Sequence, residues 1–600
     1  MQAPPAPDPH AAYTARFAAR RAEADRLDAA IDRIGQWRLA VVLAAVGVAV
    51  AAGVTGVFSA WWALAAAVPL LILVLRSKVL GFRKAAALRA VWYYRHGLDR
   101  LAGKWVGRGP TGDRFVNPDH LYAADLDLFG DGSLFQRVSA ARTAGGEAVL
   151  AGWLLAPASA PEVRARQEAV ADLRDRLDLR EYLAVIGGTV TEAADVTPLV
   201  EWGAKPPAGW PQWRHVVVVA LGWFNLAAVL GWLFVGTGSL PVLVGGLLSA
   251  LVVSPLVRWA REVVRPVEEA ANDLPLLAAI LARLEQEHFR SARLSALQAS
   301  LTAGGLPPSA QVRALRDLAE WAAARRNPMF LPVAIIMLWD VWMAFRLEGW
   351  RVRSGPLVGR WLAAVAELEA LGSLAGYAFE NPTDPFPEVL PDGPPRFEAT
   401  GLGHPLTSAE KFVRNDVRVG GDVRLLMVSG SNMSGKSTLL RSVGANAVLA
   451  LAGAPVRARS LALTPVALGA TMRVQDSLRD GRSRFYAEVT RVRAVLDKAK
   501  GSPPVLFLFD ELFAGTNSSD RLVGAEGVLR TLTDLGAVGL VTTHDLALTE
   551  ATARLGGRAM NVHFADQLVN GEMTFDHTMR PGVVPHGNGV ALMRAVGLDI

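Results

Sequence analysis

The stretch VRLLMVSGSNMSGKSTLLRS, residues 423–442, reads as a buried apolar strand, a tight glycine-rich turn and the first turns of a helix. Gly430, Gly435, Lys436 and Ser437 fill every fixed position of the P-loop pattern G-x-x-x-x-G-K-[ST]. Gly430 and Gly435 open backbone angles closed to residues with a Cβ, so successive N–H groups can point inward at phosphate oxygens. The helix N-terminus that follows adds partial positive charge. Lys436 reaches toward the β and γ phosphates of ATP, and the Ser437 hydroxyl toward Mg2+. The whole loop, Gly430, Ser431, Asn432, Met433, Ser434, Gly435, Lys436, Ser437 and Thr438, is read as the nucleotide cradle. A chance match on a glycine-rich turn is the competing reading; it leaves the strand before the loop and the helical run after it unexplained.

Around this loop, from Phe397 onward, short apolar strands alternate with helices, the α/β signature. The run VLFLF at 505–509 leads straight into Asp510 and Glu511, a Walker B arrangement. A strand buried on both faces then delivers Asp510 to the Mg2+ shell and Glu511 to the attacking water as its base. The run GLVTT at 539–543 ends at His544, on the edge where parallel sheets bind ligands. A lone histidine is more often structural, but at this edge contact with the γ-phosphate is favoured.

Six hundred residues imply several domains. The balance of 62 Lys+Arg against 56 Asp+Glu leaves +6, too weak to argue for nucleic acid by itself. With no cysteine, disulfides and cysteine-based metal sites or nucleophiles are excluded. Residues 39–75 form an uncharged apolar run too long for one span of about 20 residues, with Gly53, Thr55 and Gly56 near its middle. A second uncharged run, 216–257, turns near Gly236 and Gly238. Each reads as a hairpin of two membrane helices; two buried core hairpins are the soluble alternative. Arg33, Arg38, Arg76, Lys78, Arg83 and Lys84 flank the first hairpin, and the turns carry no Lys or Arg. The expectation is a multi-pass protein of the cytoplasmic (inner) membrane, four helices in the lipid bilayer, with N-terminus and nucleotide domain in the cytoplasm. A third apolar run, 330–345, holds Asp340 and is expected as a buried core helix, since a lone carboxylate is costly in lipid.

The organisation expected is an N-terminal segment 1–37, hairpin 38–76, a helical connector 77–120, a helical core in two parts (121–213 and 259–381) interrupted by hairpin 214–258, a linker 382–396 and the α/β domain 397–600. Glu268, Glu269, Arg283, Glu285 and Glu287 mark solvated faces of the second part, and Leu274, Leu277, Ile280 and Leu281 an apolar stripe.

Four motifs together resemble the ATPase domain of the MutS family, within the ABC-type ATPases. They are GSNMSGKST at 430–438, D-x-L-x-x-G-x-S-x-F-x-x-E at 476–488, DELFAGTNS at 510–518 and TTHD at 542–545. Leu134-Phe135, RTAGG at 142–146, Trp153-Leu154-Leu155 and RARQEAV at 164–170 are similar to the start of that family's core or lever domain. Leu338-Trp339-Asp340 and Gly403-His404-Pro405-Leu406 continue the likeness. The resemblance implies a multi-domain architecture: an α-helical MutS core/lever carrying two transmembrane hairpins, then an α/β P-loop (ABC-type) ATPase domain. It implies ATP hydrolysis with Mg2+ in a homodimer paired through the ATPase domains. Ser483 resembles the signature serine that contacts the γ-phosphate held by the opposite subunit, with residues 516–519 near the seam. Phe412 looks like the aromatic that stacks on adenine, with an apolar core contact as the equal alternative.

Departures from the family pattern bear on the partner. No room is expected before Leu121 for the mismatch-reading domain, and the one match to its wedge, Phe386-Pro387-Glu388, lies in the proline-rich linker. The second hairpin falls where DNA-clasping helices would be inserted. Ser434 stands for a usual glycine and Arg484 for a usual threonine, and the C-terminal dimerisation extension is expected to be absent. The leading expectation is a mismatch-repair-related membrane ATPase acting on double-stranded DNA. The alternative couples ATP-driven dimerisation to a protein or membrane partner; an ABC transporter subunit is the weakest reading, because GRSRF at 481–485 is not a transporter signature. Arg283, Arg290, Arg293, Arg313, Arg316, Arg325 and Arg326 would form a phosphate-binding stripe on the DNA reading, or ordinary solvated faces otherwise.

Overall fold

Asp8 starts the first helix by accepting from the backbone N–H groups of His10 (3.1 Å) and Ala11 (3.3 Å), with a proline in the first turn. The computed structural model describes residues 8–56, 59–187, 197–302, 305–391, 393–407, 413–431, 433–472, 484–569 and 572–584. One helix, Pro9–Thr55, runs 47 residues until Gly56 closes it in the left-handed conformation (φ 65°). That is about 70 Å at 1.5 Å per residue. The charged N-terminal segment and the first apolar leg are thus a single rod: the change from charged to apolar sequence near Trp37 brings no proline, and Gly35 is tolerated inside the helix. A 3-10 turn, Ala60–Ala66, feeds the return helix Ala67–Leu101.

Pro9–Val54, Trp61–Leu101, Trp213–Val235 and Trp339–Glu380 are long and apolar enough to cross a membrane; Leu240–Val253 and Val257–Ala270 qualify only as a pair bent by 72°. Burial separates these helices. The apolar window of the first three is 6 %, 0 % and 17 % buried, against 72 % for Trp339–Glu380. That last helix is a core strut, packed against helices Ala144–Leu155, Ala160–Arg174, Thr197–Ala204 and Val257–Glu269. The second hairpin ends earlier than expected: its descending leg stops at Val253, and Val257–Glu269 turns away with Arg258–Glu262 and Arg265–Glu269 pairs on its exposed face.

The run 330–345, expected as one buried helix, is two. Leu331–Ile336 stops, Leu338 takes a left-handed φ of 54°, and Trp339–Glu380 begins. Asp340 is exposed and lies 2.6 Å from Arg325 Nη1, in a first helical turn where negative charge offsets the helix dipole. The carboxylate that argued for burial is therefore a surface ion-pair partner.

Among the described residues ten strands build two sheets. They are β1 (Glu388–Val389), β2 (Arg396–Leu402), β3 (Asn415–Gly420), β4 (Leu425–Ser429), β5 (Ser460–Leu463), β6 (Ala467–Thr471), β7 (Val505–Asp510), β8 (Val538–Thr543), β9 (Ala559–Val569) and β10 (Glu572–Pro581). The larger sheet has the order β10-β9-β4-β8-β7-β6, parallel except for β10; the smaller has the order β1-β5-β2-β3. β4, β6 and β8 are buried at every residue, as a parallel sheet covered on both faces requires. β1 lies within 382–396, so the stretch expected as a linker contributes an edge strand paired with β5.

The helical core meets the α/β domain directly. A Cβ on Gly444, in the helix Lys436–Ala452 after the P-loop, would stand 2.4 Å from Leu126 Cδ2 and 2.8 Å from Leu508 Cδ1, so only glycine lets that helix pack there. At the end of the strut Glu380 is buried. It accepts from Arg100 (Nε, 2.8 Å), Arg137 (Nη1, 2.9 Å) and the Tyr13 hydroxyl (3.4 Å). Burial pushes this carboxyl up, but Arg100 and Arg137 together outweigh it and hold the group below its usual value. Glu380→Ala leaves Arg137 buried without its carboxylate and is expected to cost about 3–5 kcal/mol in chemical denaturation. Because the folded-state value is depressed, the stabilisation is complete above the unfolded-state value of 4.5 and is lost as pH falls below it. The Ala variant should lack that component of the acid-side loss.

Candidate nucleotide-binding site

The register of three parallel strands sets the site. Ser429 of β4 pairs with Thr543 of β8, and Asp510 of β7 pairs with Thr542, so the three carboxyl ends reach one edge together. Such an edge is where open α/β sheets bind ligands. The loop leaving β4 turns at Gly430 (φ 149°) and Gly435 (φ 108°), the second of which opens the helix Lys436–Ala452. A Cβ on Gly430 would lie 2.9 Å from Ser434 Oγ and 3.0 Å from the Phe564 carbonyl.

Lys436 is buried and donates from Nζ to the carbonyls of Gly430 (2.7 Å) and Ser431 (2.8 Å). Burial lowers its pKa, while Glu511, Asp510 and Asp566 pull it back up. Ser431 Oγ and Ser434 Oγ are buried without a hydrogen-bond partner, polar atoms that a phosphate would satisfy. Ser431, Met433, Gly435, Lys436, Ser437, Thr438 and Glu511 line one side of a cavity of about 350 Å³. Thr407, Val413, Asn415, Leu439, Phe564 and His577 form the rest of its wall.

The Walker B end of the site is tightly held. Thr542 Oγ1 donates to Asp510 Oδ1 (2.5 Å) and accepts from the backbone N–H of Glu511 (3.0 Å). Glu511 and Phe513 take left-handed φ values of 50° and 58°, a strained turn of the kind kept at functional sites. Glu511 Oε1 lies 3.2 Å from His544 Nδ1, so two residues expected to act together are in contact. The Phe513 N–H donates to the buried Glu488 (2.5 Å), and the Phe485 ring meets the Phe513 ring edge-on. Glu488 and Phe485, quoted only as motif letters, thus clamp the helix Arg484–Ala499 onto the loop after Asp510.

Asn432, Phe412 and Ser483 lie outside the described residues. His577 was not anticipated. The register of β9 with β10 shifts between Phe575 and Met579, and Asn415 bonds the His577 carbonyl (3.0 Å) and the Met579 N–H (2.7 Å). These bonds hold His577, at φ 51°, with Nδ1 3.0 Å from the Ser434 carbonyl. Among the described residues no three His, Cys, Asp or Glu form a metal cage. Mg2+ at a phosphate site takes one or two carboxylates plus the ligand's phosphates, which Ser437 and Asp510 fit.

A P-loop feeding its own helix, a carboxylate pair on a neighbouring strand and a histidine on the strand between define a P-loop nucleotide-binding domain. Residues 426–599 match the MutS domain V family model. Over 255 residues the chain is 32 % identical to the DNA mismatch repair protein MSH6 of Arabidopsis thaliana, covering 40 % of this chain and 19 % of that protein. It is 32 % identical over 254 residues to the DNA mismatch repair protein MutS 2 of Halobacterium salinarum, covering 42 % and 29 %. With the DNA mismatch repair protein MutS of Natronomonas pharaonis it shares 34 % over 244 residues, covering 39 % and 27 %. The likeness to the MutS family is therefore carried by this domain, residues 426–599. It spans less than a third of the length of these relatives. Lys436→Ala is expected to abolish binding of a fluorescent ATP analogue in equilibrium titration while far-UV circular dichroism stays unchanged.

Proposed function

We propose that the protein is a membrane-anchored, mismatch-repair-related ATPase that binds and hydrolyses ATP with Mg2+ in a site completed by a second copy. The observation that carries this is the meeting of Lys436, Asp510, Glu511 and His544 at the edge formed by β4, β8 and β7. The loop amides and Lys436 bind the phosphates, and Ser437 and Asp510 hold the Mg2+, whose charge offsets that on the phosphates. Glu511, fixed through its backbone by Thr542, orients the attacking water and accepts its proton; His544 steadies Glu511 and faces the γ-phosphate. On this reading Ser483 of one copy completes the ATP site of the other, as its resemblance to the family's signature serine implies.

Membrane anchoring is supported by the apolar surfaces of the two hairpins. Leu39, Leu43, Val46, Val50 and Val54 are exposed along the first, and Leu240, Leu243, Leu247 and Leu251 along the second. Soluble monomers rarely expose patches of that extent. With the flanking cations inside, the nucleotide domain faces the cytoplasm.

For the partner, the names of the relatives point to double-stranded DNA. One observation favours the alternative of a protein or membrane partner. Most arginines of the supposed stripe are already paired: Arg283 with Glu287, Arg293 with Glu162 and Glu367, Arg316 with Asp317, Arg325 with Asp340 and Arg326 with Glu268. Each pair would have to be exchanged before its arginine could neutralise a phosphate, which lowers the net gain from DNA.

Glu511→Gln is expected to retain ATP and slow turnover by about 100-fold or more in a phosphate-release assay. A wild-type rate would remove Glu511 from its role. The ATPase rate of the purified protein, measured with homoduplex, mismatched and branched DNA at two salt concentrations, separates the partners. Stimulation that weakens with salt supports DNA; a rate indifferent to every duplex supports the protein or membrane partner.

A further inference from the structure

Residues 327–338, NPMFLPVAIIML, carry no charge; Ala334 and Met337 pack inward, but one face of the segment is open. Met329 is 89 % exposed, Ile335 67 %, and Leu331 also faces outward, so the short helix Leu331–Ile336 forms an apolar knob on the surface. The knob is fastened to the second hairpin. Asn225, in the ascending helix Gln212–Leu230, donates from Nδ2 to Ser249 Oγ on the descending leg (2.8 Å) and to the Ile336 carbonyl (3.2 Å). Beside it a Cβ on Gly222 would stand 2.7 Å from the Met337 carbonyl, so glycine permits the close approach. The helix break at Leu338 takes the Ile336 carbonyl out of the regular helical ladder, and the buried Asn225 satisfies it.

That bond fixes a depth. Gly236 caps the ascending leg, and Asn225 lies eleven residues before it. This is about 17 Å at 1.5 Å per residue. With the turn at the far interface, a point about 17 Å below it lies inside a hydrocarbon layer about 30 Å thick. Non-helical backbone at such a depth survives only where neighbouring protein groups supply its hydrogen bonds, as Asn225 does here. Charge brackets the segment on both sides, with Arg325 and Arg326 before it and Asp340 after it. Arg261, Arg325 and Asp340 border the same cavity of about 210 Å³ as Leu331 and Ile335. Trp213 and Trp321 are exposed, residue types favoured at a membrane interface.

We propose that residues 327–338 are inserted in the cytoplasmic leaflet as a wedge, a third bilayer contact besides the two hairpins. The inference rests on the membrane reading above and deepens it. Its occupant is lipid because the knob continues the apolar surface of the second hairpin and its freed carbonyl is satisfied without water. The strut Trp339–Glu380 starts where the wedge ends, so the head of the lever is held in the membrane itself.

The natural absence of cysteine makes the test direct. Ile335→Cys, Leu247→Cys and Lys500→Cys would each be labelled with bimane, the full-length protein placed in nanodiscs, and fluorescence compared between ordinary lipids and lipids brominated in the acyl chains. The wedge predicts loss of fluorescence at Ile335 and at Leu247, and none at Lys500. Quenching at Leu247 but not at Ile335 overturns the wedge, leaves the hairpins in the bilayer and points to a protein on the knob. Absence of quenching at both sites overturns the membrane reading and the wedge with it. Met329→Cys, labelled alongside, guards against a misfolded Ile335 variant and must behave as Ile335 does.

Discussion

A carboxylate buried between guanidinium groups ties this molecule together. Glu380 cannot stay ionised away from water without Arg100 and Arg137, and those cations come from the N-terminal hairpin and from the helical core. The next residues repeat the device. Arg457 reaches Asp384 (3.1 Å) and Asn381 (3.3 Å), its N–H donates to Asn446, and Asn446 sits on the helix that begins at Lys436. Polar contacts therefore run from the end of the hairpin, past the foot of the strut, to the helix carrying the phosphate loop. Each joins groups costly to leave unpaired, so the parts share one geometry rather than hanging from flexible links.

The nucleotide site was legible because phosphate chemistry dictates its residue types. Glycine where backbone must approach an anion, lysine at its reach and paired carboxylates after an apolar strand leave few alternative readings, and β4, β7 and β8 lie where the sequence pattern placed them. His577 was hidden for the opposite reason. Its place depends on a register shift in β10 and on the two bonds of Asn415, neither of which leaves a local trace. Glu488 was visible as a letter in a motif, but its work, holding the Phe513 N–H, belongs to three-dimensional contact.

The helical part was legible in its apolar runs and less so in its boundaries. Hydropathy changes sharply near Trp37, but the helix continues, because continuation depends on the absence of breakers and not on polarity. The break at Leu338 carries no glycine; packing of Met337 and Trp339 on either side holds a leucine in a conformation it disfavours. Asp340 counted against a membrane span and left a buried helix as the expectation; its partner Arg325, fifteen positions earlier, instead holds it at the surface.

The two hairpins differ in length, and that difference bears on where in a cell the protein would settle. The descending leg of the second, Leu240–Val253, has 14 residues, whereas the legs of the first belong to helices of 47 and 35. Fourteen helical residues cover about 21 Å. In a bilayer the lipid beside the second hairpin must thin or the polar ends must sink, at a cost of a fraction of a kcal/mol per ångström. Neighbouring copies share a thinned annulus more cheaply than each maintains its own. For the membrane-anchored, paired ATPase proposed above, elastic strain in the lipid would draw copies together and favour thin membrane regions over thick ones.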